Sequence, residues 1–153
     1  MTKIVKLDDI DRKIIAVLRE DGRISITDLA AAVGLSKTPC QLRVRRLTAE
    51  KIIRGFRATV DPATLGLNHV AFTEVKLVNT REEALEAFNQ AINRIPEVEE
   101  CHMIASSFDY LLKIRTSDVT RYRKILGEKI SALPHVSRTS TFIAMETIKD
   151  ASS

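Results

Sequence analysis

The sequence is poor in aromatic residues: its 153 residues include no tryptophan, two tyrosines and five phenylalanines. Proteins that bind single-stranded nucleic acid stack successive bases on aromatic side chains. This sequence therefore has few aromatic side chains from which to build a surface that binds single-stranded nucleic acid.

Cysteine is equally scarce. Cys40 and Cys101 lie far apart in the sequence, and neither has further ligand-type residues at metal-binding spacing. We therefore expect no metal site and no disulfide, but two buried free thiols in a reducing cytosol.

Long apolar runs are also missing. No run approaches the ~18 residues of a membrane span. The sequence MTKIVKLDDID becomes acidic where a secretory signal would become apolar. These features predict a cytoplasmic protein with no membrane partner.

Catalytic motifs are lacking as well. Asp109, His102 and His135 are titratable, but no two catalytic groups recur at motif spacing and there is no glycine-rich phosphate loop. The sequence thus predicts neither an enzyme nor a bound cofactor.

Positive charge, by contrast, is concentrated at one end of the chain. Residues 1–60 hold 13 Lys/Arg and 7 Asp/Glu, a net charge of +6, whereas the other 93 residues have a net charge of −2. Between Lys37 and Arg57 there are seven Lys/Arg and one acid, Glu50. This asymmetry is typical of nucleic-acid binding.

Three helices are predicted in the basic region. The first covers Leu7–Asp21, and the second begins after Ser25, which is suited to an N-cap. Gly34 supplies the positive φ of a helix end and turn. The third helix begins after Ser36, with Pro39 harmless in its first turn. This order predicts a helix-turn-helix.

The third helix has two different sides. At about 100° per residue, Cys40, Val44 and Leu47 fall together on a core side. The other side carries Thr38, Gln41, Leu42, Arg45 and Arg46. Guanidinium, amide and hydroxyl groups are those that bond base edges and phosphates in a major groove of double-stranded DNA. The alternative is a solvated basic face on an ordinary helical hairpin.

A short β arm, or wing, is expected after this helix. Ile52, Ile53, Phe56 and Val60 flank an Arg54-Gly55 turn signal. With the arm included, the predicted DNA-contacting residues are Ser36, Lys37, Thr38, Gln41, Leu42, Arg45, Arg46, Arg54 and Arg57.

The rest of the chain predicts an α+β fold. We place a hinge at residues 61–66 and a second domain at 67–153, so that the first domain covers 1–60. The predicted elements are a strand at Val70–Val78, a helix opened by a capping box at Thr80, strands at Val98–Ala105 and Tyr110–Arg115, a helix capped by Ser117 or Asp118, and a strand at Val136–Ile148.

This order of elements is that of a ferredoxin-like βαββαβ domain with both helices on one face of an antiparallel sheet. The other face is expected to carry Val70 and Phe72 or their neighbours, with Ile143 and Met145. Since no further layer covers that face, we expect it to be buried by self-association.

Two stretches resemble the Lrp/AsnC (feast/famine) family of transcriptional regulators. GLSKTPCQLRVRRL (34–47) is similar to the family's recognition-helix signature, and ECHMIASSFDYLLKIR (100–115) to the hairpin of its RAM (regulation of amino-acid metabolism) domain. The resemblance covers nearly the whole chain in the family's order. It implies a winged helix-turn-helix domain followed by a RAM domain.

The resemblance also implies partners and a ligand site. Such regulators are homodimers that assemble into octamers or larger discs, and a free amino acid binds between RAM domains. Asp109 would be the acidic residue near the ligand's amino group, although Asp in a hairpin more often caps its own backbone. The implied effector residues are Met103, Ser106, Ser107, Phe108, Asp109, Tyr110, Val119, Phe142, Ile143 and Ala144. An effector-independent, DNA-compacting architectural protein is the alternative function.

Within the family, SFDYLLKIRT, YRKILGEKIS and LPHVSRTSTFIAMETIK look most like regulators that activate proline dehydrogenase genes in response to proline. Two residues depart from the usual pattern, since Ser106 and Lys51 stand where the family has Gly. Either Lys51 adopts a left-handed conformation, at a cost of roughly 1 kcal/mol, or the helix ends differently.

Overall fold

The computed structural model describes residues 6–149 and divides the chain into two compact units. The first unit ends at Ala58 and the second begins at Thr59. A hinge at residues 61–66 stays a prediction.

The first unit contains three helices, α1 (Asp9–Glu20), α2 (Ile26–Val33) and α3 (Lys37–Ala49). All three predicted helices are present, and α1 is shorter than expected because Asp8 caps its N-terminus. The core joins all three, since Ile14, Leu29, Cys40 and Leu47 are fully buried. None of these helices could bury its apolar stripe alone.

The two ends of α2 have the predicted local chemistry. At its start the Ser25 hydroxyl accepts a hydrogen bond from the Asp28 N–H at 3.1 Å, and at its end Gly34 has φ 74°. The short turn to α3 thus follows from one left-handed glycine.

The predicted β arm is wrong. In the described chain, residues 51–60 form no strand. Lys51 has φ 57°, the first of the two predicted outcomes. Its N–H donates to the Thr48 carbonyl at 3.0 Å, and the N–H groups of Ile52 and Ile53 donate to the Leu47 carbonyl at 2.9 and 3.0 Å. These bonds form a Schellman-type end to α3, so the same N–H groups are not available for a hairpin. Phe56 then packs over Gly22, where a Cβ would lie 3.2 Å from the ring.

The second unit has the predicted βαββαβ order. Its elements are β1 (His69–Leu77), α4 (Glu82–Ile92), β2 (Val98–Met103), β3 (Tyr110–Thr116), α5 (Val119–Ile125), a π-helical turn (Leu126–Ile130) and β4 (Val136–Ile143). The strands form one antiparallel sheet in the order β2-β3-β1-β4. One sheet face packs with α4 and α5 through Val75, Leu112, Phe88 and Ile125, all at most 1% exposed.

Several element boundaries differ from the predictions, among them the end of β2 at Met103 and not at Ala105, and two of the differences have a local cause. The fourth helix begins at Glu82 and not at a Thr80 capping box, because Asn79 forms an Asx turn by accepting the Arg81 N–H at 3.1 Å. The last strand ends at Ile143 and not at Ile148. The end of β4 lies beside the start of β1, because the two strands are antiparallel. The Ala144 N–H still donates to the Val70 carbonyl, but β1 begins at His69 and has too few residues left to pair with those after Ala144.

The sheet face away from the helices carries Phe72 and Phe142, which are paired across β1 and β4 and are both exposed. Ile143 was expected on this face but pairs with Ala71 and so lies on the helix side, while Met145 lies beyond β4. Cys40 is buried as predicted, whereas Cys101 is exposed because its strand, β2, lies at the sheet edge.

Candidate nucleic-acid interface and effector residues

Helix α3 presents most of its predicted DNA-contacting residues to solvent. Ser36, Lys37, Thr38, Leu42 and Arg45 are exposed and Gln41 is half-buried. Leu42 is 60% exposed, and such an apolar group on a reading face suits contact with a thymine methyl. Within the described structure the Ser36 hydroxyl makes no capping bond, although Ser36 is the N-cap residue. This hydroxyl is therefore available to a phosphate at the helix N-terminus.

Arg46, a predicted DNA-contacting residue, is bonded to an acid on α1. Its Nη2 donates to Oδ2 of Asp11 on α1, and Arg43 Nη1 donates to Oδ1 of the same carboxylate at 2.8 Å. The Asp11 side chain is 1% exposed, whereas Arg43 is 28% and Arg46 43% exposed. Arg46 therefore belongs to a contact between α1 and α3 and is not an unengaged residue of the reading face.

Asp8 completes this cluster. Its Oδ2 accepts from Arg43 Nη1 at 2.6 Å, and its Oδ1 accepts the Asp11 N–H at 2.8 Å. Burial acts to raise the pKa of Asp11, but three hydrogen bonds to its carboxylate outweigh this effect and lower the pKa. They come from Arg43, from the Asp8 N–H and from Arg46. The carboxylate is thus held ionised between two guanidinium groups.

Arg54 and Arg57 are exposed, as a role at the DNA backbone requires. They line a cavity of about 570 Å³ together with Arg19, Ile53 and Phe56. Both arginines lie on the irregular segment after α3 and not on a β arm.

The β2–β3 loop carries the first group of predicted effector residues. Ser106 and Ser107 are exposed, Phe108 is half-buried, and Met103 at the end of β2 is exposed. These groups offer two hydroxyls beside apolar side chains at the surface.

Asp109 does not face solvent with them. It is 8% exposed, and its Oδ2 accepts the Leu77 N–H at 2.8 Å while its Oδ1 accepts Lys76 Nζ at 3.0 Å. Burial acts to raise the pKa of Asp109, but these two partners lower it. Both oxygens are committed to β1, so the structure favours neither a ligand ammonium nor the turn's own backbone as the partner of Asp109.

Tyr110 is also a core residue. It is 2% exposed, and its ring packs on Phe88 with centroids 4.3 Å apart. A direct contact between Tyr110 and a ligand would require this packing to open.

The second group of predicted effector residues lies at the other end of the sheet. Val119 begins α5, and Phe142 and Ile143 end β4; all three are exposed, and Ala144 after them is half-buried. Tyr110 pairs with Val75, whereas Ile143 pairs with Ala71, four residues away along β1. That separation is about 13 Å along the strand. A single chain therefore does not bring the two groups together.

Asp11, Arg43 and Lys76 were missed by the sequence reasoning. A signal for the first two was present, because Asp8 and Asp11 are three residues apart at the start of the first predicted helix and Arg43 and Arg46 are three apart on the third. Residues at that spacing share a helix face, so two acids could meet two arginines.

Within residues 6–149, no group of three or more His, Cys, Asp or Glu side chains is placed to hold a metal ion. The same range contains no helix with the length and hydropathy needed to cross a membrane.

Both units match known protein families. Residues 7–48 match the AsnC-type helix-turn-helix domain, and residues 70–153 match the Lrp/AsnC ligand binding domain. The chain is 60% identical over 144 residues to a proline dehydrogenase transcriptional activator of Rhizobium radiobacter, covering 94% of this chain and 92% of that one. It is 43% identical over 145 residues to the leucine-responsive regulatory protein of Escherichia coli, covering 95% and 88%.

A solved structure agrees with this relationship. The complex of a Neisseria meningitidis transcriptional regulator with L-Met has a TM-score of 0.86 and 28% identity, covering 95% of this chain and 94% of that one. These relatives are transcriptional regulators and not enzymes. Because the matches span both units in the same order, this chain belongs to the Lrp/AsnC family of DNA-binding transcriptional regulators.

Proposed function

We propose that this regulator binds a pseudo-palindromic double-stranded DNA site through α3 of two subunits and responds to a free amino acid, with proline as the effector. The observation that carries the DNA part is the solvent-facing side of α3, where Arg45, Thr38 and Leu42 are all exposed. Two copies related by a two-fold axis would present two such helices to successive major grooves.

The residues divide into two DNA roles. Arg45 has the position and the fork of donors suited to a base edge, and Gln41 beside it offers an amide. Lys37, Arg54 and Arg57 are exposed cations suited to phosphates. Arg46 is left out of the reading set because Asp11 already engages it.

The test compares Arg45→Ala with Arg12→Ala, which removes the same charge from the outward side of α1. Binding is measured to a duplex selected by the wild-type chain and to a scrambled duplex. Arg45→Ala should cost about 1–3 kcal/mol on the selected duplex and less on the scrambled one. Arg54→Ala should weaken both duplexes alike and reduce the salt slope by about one. Arg45→Ala with unchanged discrimination would contradict this assignment.

The effector site is proposed to be shared between subunits. One subunit would contribute Met103, Ser106, Ser107 and Phe108, and another would contribute Val119, Phe142, Ile143 and Ala144. The support is the separation of the two groups, because a ligand as small as an amino acid cannot touch both within one chain.

Mixed oligomers test this sharing directly. Ser107→Glu and Ile143→Glu change exposed residues of the two groups, and each should abolish binding alone. Co-expression of the two variants should restore about a quarter of the sites, since some interfaces combine both intact groups. Ser131→Glu, an exposed serine outside both groups, is the control. Failure to restore any site would place the whole site within one chain.

Proline is proposed because the relative with 60% identity is named a proline dehydrogenase transcriptional activator. Calorimetry with proline, leucine, methionine and asparagine would compare their affinities. Tighter binding of another amino acid would refute proline. No binding of any of them would favour the effector-independent architectural function.

Self-association is proposed to use the open sheet face, giving a homodimer that assembles further to an octamer. Phe72 and Phe142 are exposed on this face, and apolar rings of this size favour burial against another copy. Phe72→Arg should reduce the sedimentation coefficient of the full chain, whereas an unchanged value would remove this face from the interface. The proposed location of the regulator is the cytoplasm, where its DNA would be.

A further inference from the structure

We propose that Asp11 is a positioning residue for DNA recognition: it holds α3 in its reading orientation through Arg43 and Arg46. The inference rests on the proposed role of α3 as the reading helix. It adds that a residue on α1 controls the discrimination between DNA sequences without touching DNA.

The two carboxylate oxygens of Asp11 bind two different arginines of α3. Oδ1 of Asp11 accepts from Arg43, and Oδ2 accepts from Arg46, which lies about one helical turn further along α3. The carboxylate is 1% exposed, and its Oδ2 also accepts the Asp8 N–H at 3.2 Å. An acceptor with so little freedom defines where both guanidinium groups must lie.

Apolar packing alone would define the orientation of α3 less sharply. The α1–α3 contact includes Ile14 and Leu47, and apolar surfaces tolerate small slides and rotations. Hydrogen bonds between guanidinium and carboxylate groups are directional. Arg45 directly precedes Arg46 in the chain, so fixing Arg46 also fixes the direction in which Arg45 leaves the helix.

The pairing with Asp11 also makes two arginine side chains less available to DNA phosphates. Seven Lys/Arg lie between Lys37 and Arg57, and two of them, Arg43 and Arg46, are paired with Asp11. Loss of the Asp11 charge would free Arg46 in particular, because Arg43 keeps its bond to Asp8. Arg46 is 43% exposed, so a freed guanidinium could reach a phosphate.

The test is Asp11→Asn in the full chain, with binding measured across salt concentrations to the duplex that the wild type selects from a random library and to a scrambled duplex. We expect opposite changes. Affinity for the scrambled duplex should rise about threefold or more with a salt slope steeper by about one, while discrimination between the duplexes should fall at least fivefold. Asp9→Asn, an exposed acid of the same helical turn, is the matched control.

A merely structural role for Asp11 gives a different result. Partial unfolding would weaken binding to both duplexes and would not steepen the salt slope. Hydrogen exchange of α1 and α3 peptides would report unfolding independently. Asp11→Glu keeps the charge and should return the scrambled-duplex affinity to the wild-type value.

Arg46→Gln is a second variant that keeps the inference testable if Asp11→Asn does not fold. It should lower discrimination with no change in salt slope, because Arg46 makes no phosphate contact. A slope smaller by about one would overturn the inference. The inference would also be overturned if Asp11→Asn and Arg46→Gln both discriminated between the two duplexes as well as a selective wild type does. A wild-type chain that selects no sequence would instead refute the proposed function, and the inference with it.

Discussion

Substitution of Asp109 separates an anchoring role from a ligand-binding role. Asp109 joins the β2–β3 loop to β1 by accepting the buried Leu77 N–H and the half-exposed Lys76 ammonium. Asp109→Asn keeps an oxygen for Leu77, whereas Asp109→Ala removes it. The two variants should therefore differ in stability, although both remove the same charge.

The magnitude follows from these two partners. A buried amide left without an acceptor costs about 1–3 kcal/mol. The Lys76 side chain is 40% exposed, so solvent screening limits its pair to about 0–1 kcal/mol. Asp109→Ala should thus destabilise the second unit by about 1–3 kcal/mol, and Asp109→Asn by less than about 1 kcal/mol. A loss of 1 kcal/mol lowers the midpoint of a unit of this size by about 4–8 °C.

Tyrosine fluorescence can report on this unit alone. The sequence has no tryptophan, and its two tyrosines, Tyr110 and Tyr122, both lie in the second unit. Unfolding of the full chain followed at the tyrosine emission therefore measures the unit that contains Asp109. Lys76→Gln, which removes only the exposed partner, is the control and should resemble Asp109→Asn.

Calorimetry with the effector supplies the second readout. Because Asp109 faces β1, Asp109→Asn should bind the effector within about twofold of the wild type. A loss of tenfold or more at unchanged stability, equivalent to about 1.4 kcal/mol, would refute the anchoring role and return Asp109 to the ligand's ammonium. Equal destabilisation by Asp109→Asn and Asp109→Ala would show that the hydrogen bond to the Leu77 N–H is not the main contribution of Asp109 to stability.

Three further predictions concern stability. Lys51→Gly should raise the thermal midpoint of the first unit, followed by helical circular dichroism, because relief of the left-handed φ of 57° is worth about 1 kcal/mol. Tyr122→Phe should lower the second unit's stability by about 1–2 kcal/mol in urea, since Thr73 and Thr141 lose the phenol that bonds both at 2.9 and 2.6 Å. The third concerns acid: the folded pKa of Asp109 lies below its ordinary 3.8, so its stabilisation is present above that value and is lost as the pH falls through the lowered pKa. Asp109→Asn should flatten that decline, measured as urea midpoints between about pH 5 and pH 3.

Local signals in the sequence predicted most of the fold. Ser25 and Gly34 define the ends of α2 through bonds to near neighbours, and alternating apolar residues predict the strands. The failed β arm shows where such signals compete. A left-handed Lys51 was one of the two expected outcomes, and that conformation commits the next N–H groups to the Leu47 carbonyl. The apolar side chains of Ile52 and Ile53 favour a strand, but they carry no information about these backbone hydrogen bonds.

The site residues were harder to predict because their partners are distant in the chain. A helical wheel separates Arg46 from the apolar side of α3, but it contains no information about an acid on α1. Asp11 lies 35 residues away from Arg46, and Asp109 lies 32 residues away from Leu77. The sequence predicted the helix and the loop as elements of the fold, whereas only the packed structure shows which of their side chains are already engaged.

Internal ion pairs also separate two electrostatic properties of the first unit. Pairing Arg43 and Arg46 with Asp11 leaves the net charge unchanged, because the sequence count already includes the acid. Long-range attraction to DNA follows the net charge and falls as salt is added. Base discrimination depends instead on the few side chains whose donors remain unpaired and on the precision with which α3 holds them. If Asp11 holds α3 as proposed, a substitution at Asp11 changes both properties, whereas one at Asp9 changes the net charge alone. Comparing the two then measures how much of the specificity comes from the orientation of α3.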